Sequence, residues 1–162
     1  MIARGGAFAL GRESGDPIGG LIRGPSGSGK SDLLLRLITD ERCTLVSDDY
    51  AVLSARSGVL HASPPAEIAG LIEARGVGVV RQPFLQTVRI VAVFDVSPPA
   101  DPPLRCPPPK TIDLLGVALR AFRVRPFEAS AAAKVRLTLE AVADGLFADA
   151  ANRLDTRLDT RD

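Results

Sequence analysis

The octapeptide Gly24-Pro25-Ser26-Gly27-Ser28-Gly29-Lys30-Ser31 constrains this chain more than any other feature. It satisfies the pattern G-x-x-x-x-G-K-[ST] at every required position. The apolar run Gly19-Gly20-Leu21-Ile22-Arg23 enters it as a strand would, and leucines 33, 34 and 37 follow at helical spacing, with Arg36 expected to face outward. The glycines of this octapeptide let the backbone curl so that successive N–H groups point at phosphate oxygens. The helix that follows adds its positive N-terminal end. Lys30 can reach the terminal phosphates and the Ser31 hydroxyl can ligate Mg²⁺. The competing reading is a Gly/Ser-rich turn that merely caps a helix; the conjunction of strand, complete motif and helix argues against it. A site for a nucleoside triphosphate with Mg²⁺, ATP by default, is therefore predicted at 24–31.

The rest of the chain reads as one α/β domain over residues 1–150, followed by a frayed tail at 151–162 that carries RLDT twice. Residues 2–10 form a first strand and Thr44–Ser47 a second short one ending at Asp48-Asp49. Residues 51–54 and 58–62 flank Arg-Ser-Gly as a hairpin. The Pro64-Pro65 pair opens a helix over 66–74, after which glycines 76 and 78 lead into an extended 77–80. The β-branched run VRIVAVFDV, 88–96, is the predicted central strand. Seven prolines in 98–109 dictate a loop. A second hairpin at 111–115 and 118–124 turns at Gly116, and 129–147 carries a helical pattern. The two hairpins supply antiparallel neighbours, so the predicted sheet is mixed.

A net charge of +1 and the absence of Trp argue against nucleic-acid binding. No apolar stretch reaches 18 residues and the N-terminal apolar run is too short for a signal peptide, so no membrane association and a cytoplasmic setting are expected. Cys43 and Cys106 fit no metal spacing; Cys43 reads as a buried thiol.

Phosphoryl transfer to a hydroxyl needs a carboxylate to take its proton. Asp48 and Asp49, at a strand end, can divide the work, one near the metal and one near the acceptor. Asp95 ends an apolar run, as the Mg²⁺-holding acid of many nucleotide hydrolases does. From the residues alone both stay open, as does a polar turn with no catalytic part.

GPSGSGKS, then LVSDD, then LIEARGVGV (71–79) together resemble the HPr kinase/phosphorylase family over roughly residues 4–140, with the short alphaproteobacterial form the nearest likeness. Ala74 stands for the signature's Ile and Val77 for its Leu. The resemblance implies a phosphoenolpyruvate-carboxykinase-like P-loop fold with a mixed sheet, commonly hexameric. It implies an ATP-dependent serine kinase, also a phosphorylase, whose substrate is the HPr phosphocarrier protein of the phosphotransferase system. Asp49 matches the general base, Ser31 and Glu73 the Mg²⁺ ligands, and Arg105 a catalytic arginine in the loop after the central strand. Arg4 departs from the pattern, standing where the family carries a catalytic His. An arginine cannot exchange a proton near neutral pH but can hold phosphate charge, so the phosphorylase direction is expected to suffer first. His61, the only histidine, is expected at the surface. Arg123–Glu128 falls near the family's basic segment, too loosely for any residue to be assigned. The alternatives are a small-molecule kinase or nucleotide hydrolase using Asp95, and a non-catalytic nucleotide sensor.

Overall fold

Along Gly6–Leu10 small and large apolar residues alternate, and all five are buried. A strand apolar on both faces must be covered on both. In a computed structural model, which describes residues 1–97, 100 and 103–147, it is. Phe8 and Leu10 join a core shared with both helices, while Ala7 and Ala9 join a second core on the opposite face with Leu53, Leu60 and Val93.

The elements run β1 (Ile2–Arg4), β2 (Gly6–Leu10), β3 (Ile18–Arg23), α1 (Lys30–Thr39), β4 (Thr44–Ser47), β5 (Tyr50–Arg56) and β6 (Val59–Ser63). They continue as β7 (Leu71–Ala74), β8 (Gly78–Arg81), β9 (Val88–Val96), β10 (Lys110–Leu114), β11 (Val117–Val124) and α2 (Ala131–Ala143). Nine strands form one mixed sheet with the path β1-β5-β6-β9-β3-β2-β4. β9 is its hub, as its β-branched composition predicts. It lies parallel to β3 on one side; on the other it pairs antiparallel with β6 at Val88 and Arg89, then parallel with β11 from Ala92 onward. This α/β arrangement with a mixed sheet agrees with the expected fold class.

Both predicted hairpins form. Each turns on two consecutive residues of positive φ, Ser57 (50°) with Gly58 (74°) and Leu115 (55°) with Gly116 (77°), the handedness that matches strand twist.

Four local expectations are corrected. The single strand at 2–10 is two strands, because the chain crosses from β5's edge to β3 at Gly5. Its N–H donates to the Asp49 carbonyl at 2.7 Å, and a Cβ there would lie 2.3 Å from the Ile22 carbonyl oxygen. No helix spans 66–74. One 3₁₀ turn, Ala66–Ile68, gives way at Gly70 (φ 73°) to β7, which forms a separate two-stranded sheet with β8. Gly70 is pressed against Phe84, where a Cβ would be 2.8 Å from the ring. So short an apolar pair as Leu71-Ile72 fits either period, and the glycines at 70, 76 and 78 decide for a hairpin. The last helix stops at Ala143, with Gly145 at φ 66° ending it by left-handed geometry. His61 is half-buried on β6 opposite Arg89, with its Nδ1 lacking a hydrogen-bond partner among the described residues. The RLDT tail lies outside the described residues. Cys43 is buried as expected, and burial pushes its thiol up to about 12.

Side chains press on Gly20 of β3, where a Cβ would approach Phe8 to 2.4 Å and Phe94 to 3.0 Å. Gly20→Ala is expected to cost roughly 1–3 kcal/mol of stability through overpacking, measured by urea denaturation.

Candidate functional site

β3 carries the chain to Gly24, where the backbone curls. Gly27 and Gly29 adopt φ of 72° and 94°, conformations that a side chain would strain, and Gly29 immediately precedes α1. The loop is also packed from outside. A Cβ on Gly24 would lie 2.9 Å from Ser28 Oγ and 3.1 Å from Val96 Cβ; one on Gly29 would lie 2.7 Å from the Phe127 ring. Lys30, 6% exposed, donates from Nζ to the Pro25 carbonyl at 2.7 Å. Burial lowers its pKa, and the nearby carboxylates of Asp49 and Asp48 only partly offset that. A buried cation at the start of a helix, its burial only partly offset by neighbouring carboxylates, suits an anion.

The acids meet this loop from β4. Asp48, 6% exposed, accepts a hydrogen bond from Ser31 Oγ at 2.9 Å. The same oxygen accepts the Asp49 N–H at 2.9 Å, and its other oxygen takes the Glu73 N–H at 3.2 Å. Asp49 has φ 63°, unusual outside glycine though tolerated by Asp. That reversal lets consecutive acids diverge: Asp48 is buried against Ser31, while Asp49 is half-exposed at the mouth, 3.9 Å from Arg4 Nε.

One cavity of about 620 Å³ is lined by Lys30, Ser31, Asp48, Asp49 and Glu73 together with Arg75. Glu73 reaches it from β7, an exposed strand position rather than the end of a helix. Arg105 is exposed in the loop between β9 and β10 and does not line this cavity. Asp95 does not line it either. Its two oxygens take a fork of bonds from Arg23, Nε at 2.9 Å and Nη2 at 3.1 Å, with Lys110 4.0 Å away. Of the two carboxylate candidates, the pair at 48–49 is the one beside the P-loop serine.

Two neighbours escaped the sequence reading. Arg36 does not face outward: its guanidinium donates to the carbonyls of Pro126 and Glu128 and pairs with Asp32 at 3.1 Å. Phe127, in the segment where no residue was assigned, stands against the P-loop. An aromatic beside a proline just outside a strand was the available signal.

The donor set suits Mg²⁺ with phosphate. Among the described residues no group of three or more His, Cys, Asp or Glu could hold a metal alone. Ser31 and one or two acids supply part of a shell that a hard cation completes with phosphate and water oxygens.

No family model matches the chain. An HPr kinase/phosphorylase from Clostridium novyi is 41% identical over 68 residues, 42% of this chain and 22% of the relative. One from Clostridium kluyveri is 43% identical over 63 residues, 39% of this chain and 20% of the relative. The match thus spans about a fifth of the length of these curated relatives. The HPr(Ser) kinase/phosphatase from Coxiella burnetii has the same fold, with a TM-score of 0.70 at 22% identity over 90% of this chain and 95% of that one. Over about two fifths of its length the chain is similar to curated HPr kinase/phosphorylases, the family its motifs resemble.

Because Lys30 is buried at a cost when nothing is bound, Lys30→Met is expected to raise the melting temperature of the nucleotide-free protein at neutral pH while abolishing nucleotide binding. Burial holds the folded pKa below the ordinary lysine value of 10.5, so wild type binds fewer protons folded than unfolded below that pH and gains stability as pH rises toward it. The variant's advantage should therefore shrink toward pH 10.5, as melting curves across that range will report.

Proposed function

We propose that this chain is an ATP- and Mg²⁺-dependent protein serine kinase whose acceptor is an HPr-like phosphocarrier protein. What supports this reading most is one juxtaposition: Lys30, Ser31, Asp48 and Asp49 line a single cavity, with Ser31 bonded to Asp48 at 2.9 Å. The N–H groups of 27–31 and Lys30 would hold the phosphates, and Ser31, Glu73 and Asp48 the metal. Bound there, MgATP supplies the phosphoryl group and neutralises part of its charge.

Asp49 is the general base. Its carboxylate stands free of the Ser31–Asp48 pair at the open mouth, where a serine from another protein can reach it and yield its proton. Asp48 holds the Ser31 hydroxyl and, through the Glu73 N–H, fixes the β7–β8 hairpin over the cavity. Lys30 draws negative charge into the loop. Arg105 belongs to the proposal by resemblance alone, since it is exposed and does not line the cavity. Arg4, beside Asp49, can hold phosphate charge but cannot shuttle a proton. The output is regulatory, since a phosphoserine changes the charge of the carrier's surface. A homo-oligomer without membrane or nucleic-acid partners, acting in the cytoplasm, completes the reading.

Incubation with ATP, Mg²⁺ and HPr from the same organism is expected to yield phosphoserine, detected by mass spectrometry. Asp49→Asn should reduce the rate by about 10²–10⁴-fold, the usual contribution of a general base. Asp95→Asn should spare the transfer and lower stability, because it breaks the Arg23 fork. If Asp95→Asn alone abolishes turnover, the assignment is wrong; if ATP binds and no HPr is ever phosphorylated, only nucleotide sensing survives. Arg4→His is expected to raise pyrophosphate release from phospho-HPr and inorganic phosphate relative to the forward rate, measured with a pyrophosphate-specific assay.

A further inference from the structure

A second cavity, of about 530 Å³, adjoins the first across the P-loop. The two share Ser26, Gly27 and Phe127, and the second is otherwise lined by Pro25, Val96 and Pro126 among others. None of Lys30, Ser31, Asp48 or Asp49 borders it. Its volume falls within the roughly 300–1,000 Å³ usual for small-molecule sites.

Phe127 stands at the junction. It is 69% exposed, although its ring edge reaches the backbone of Gly29. A large exposed aromatic on a loose turn would need no explanation, but this turn is pinned. Arg36 donates to the carbonyls of Pro126 and Glu128, Lys134 grips the Glu128 carboxylate at 2.6 Å, and the Ala131 N–H bonds the Glu128 carbonyl at 3.0 Å. The backbone that carries the ring is tied down while the ring itself is largely bare to solvent, an arrangement that can stack a flat ligand with little backbone ordering.

A nucleoside triphosphate whose tail lies in the P-loop, with its reacting end among Lys30 and Asp49, must lay its nucleoside in a contiguous space. We propose that the second cavity is that nucleoside subsite and that the Phe127 ring stacks on the base. The inference rests on the reading of 24–31 as a triphosphate site. Stacking reads area more than base edges, so purine nucleotides are preferred over pyrimidine ones, with weak discrimination between adenine and guanine.

Calorimetric titration of the full chain with MgATP and with magnesium tripolyphosphate, which has the tail but no nucleoside, tests it. Phe127→Ala is expected to weaken ATP by about tenfold or more, as loss of one base–aromatic stack does, and to leave tripolyphosphate affinity unchanged. Equal weakening of both ligands makes Phe127 a mere support of the loop and overturns the proposal, as does no change in either. Should wild type bind neither ligand, the P-loop reading itself falls. The chain contains no Trp, so Phe127→Trp adds a sole reporter. Quenching of its fluorescence by ATP and not by tripolyphosphate supports the subsite, and quenching by neither overturns it.

Discussion

The buried carboxylate of Asp48 ties three separate parts of the chain to one point. It receives the first turn of α1 through Ser31, the end of β4 through the Asp49 N–H, and the β7–β8 hairpin through the Glu73 N–H. Hydrogen bonds to an ionised group are each worth about 1.5–3 kcal/mol net, and a buried acid left without them costs more than that. The cavity exists because these three contacts converge. The hairpin is otherwise held by Ile72, which is buried in the core beside α1, while its outward residues Val77 and Val79 are exposed.

The same neighbourhood holds charge at a cost. Among the described residues Lys30 has a carbonyl as its only direct partner, and burial disfavours its ammonium. Asp49 sits at positive φ, anchored by its own carbonyl to Gly5. That anchor fixes the start of β2 and sets Arg4, one residue earlier, beside the acid. A strained backbone position and an incompletely compensated buried charge are gathered at one cavity, where an anionic ligand can offset the cost of that charge.

The opposite wall of the P-loop is built by packing. Val96 at the end of β9 and the ring of Phe127 leave no room for a Cβ on Gly24 or Gly29. Arg36 on α1 secures the turn that bears Phe127, so the helix that begins at the phosphate loop also fixes what covers it. β9, sandwiched between β3 and β11, carries this wall from the centre of the sheet.

The sequence by itself determined whatever depends on near neighbours. The P-loop and the helix after it, the β-branched β9, and the two hairpins turning at Gly58 and Gly116 were all legible, because glycine freedom, apolar period and turn chemistry act over a few residues. Even there a short segment misled: Leu71-Ile72 fits a helix or a strand, and Phe84 packing against Gly70 made it a strand. The candidate site was legible as a set of residues, and its arrangement was not. Nothing in the order of residues says that Asp48 rather than Asp95 meets Ser31, that Arg23 occupies Asp95, that Arg36 turns inward, or that Arg4 faces Asp49. Those distances follow from which strands lie side by side and in what register, and register is decided by the burial of a whole sheet at once.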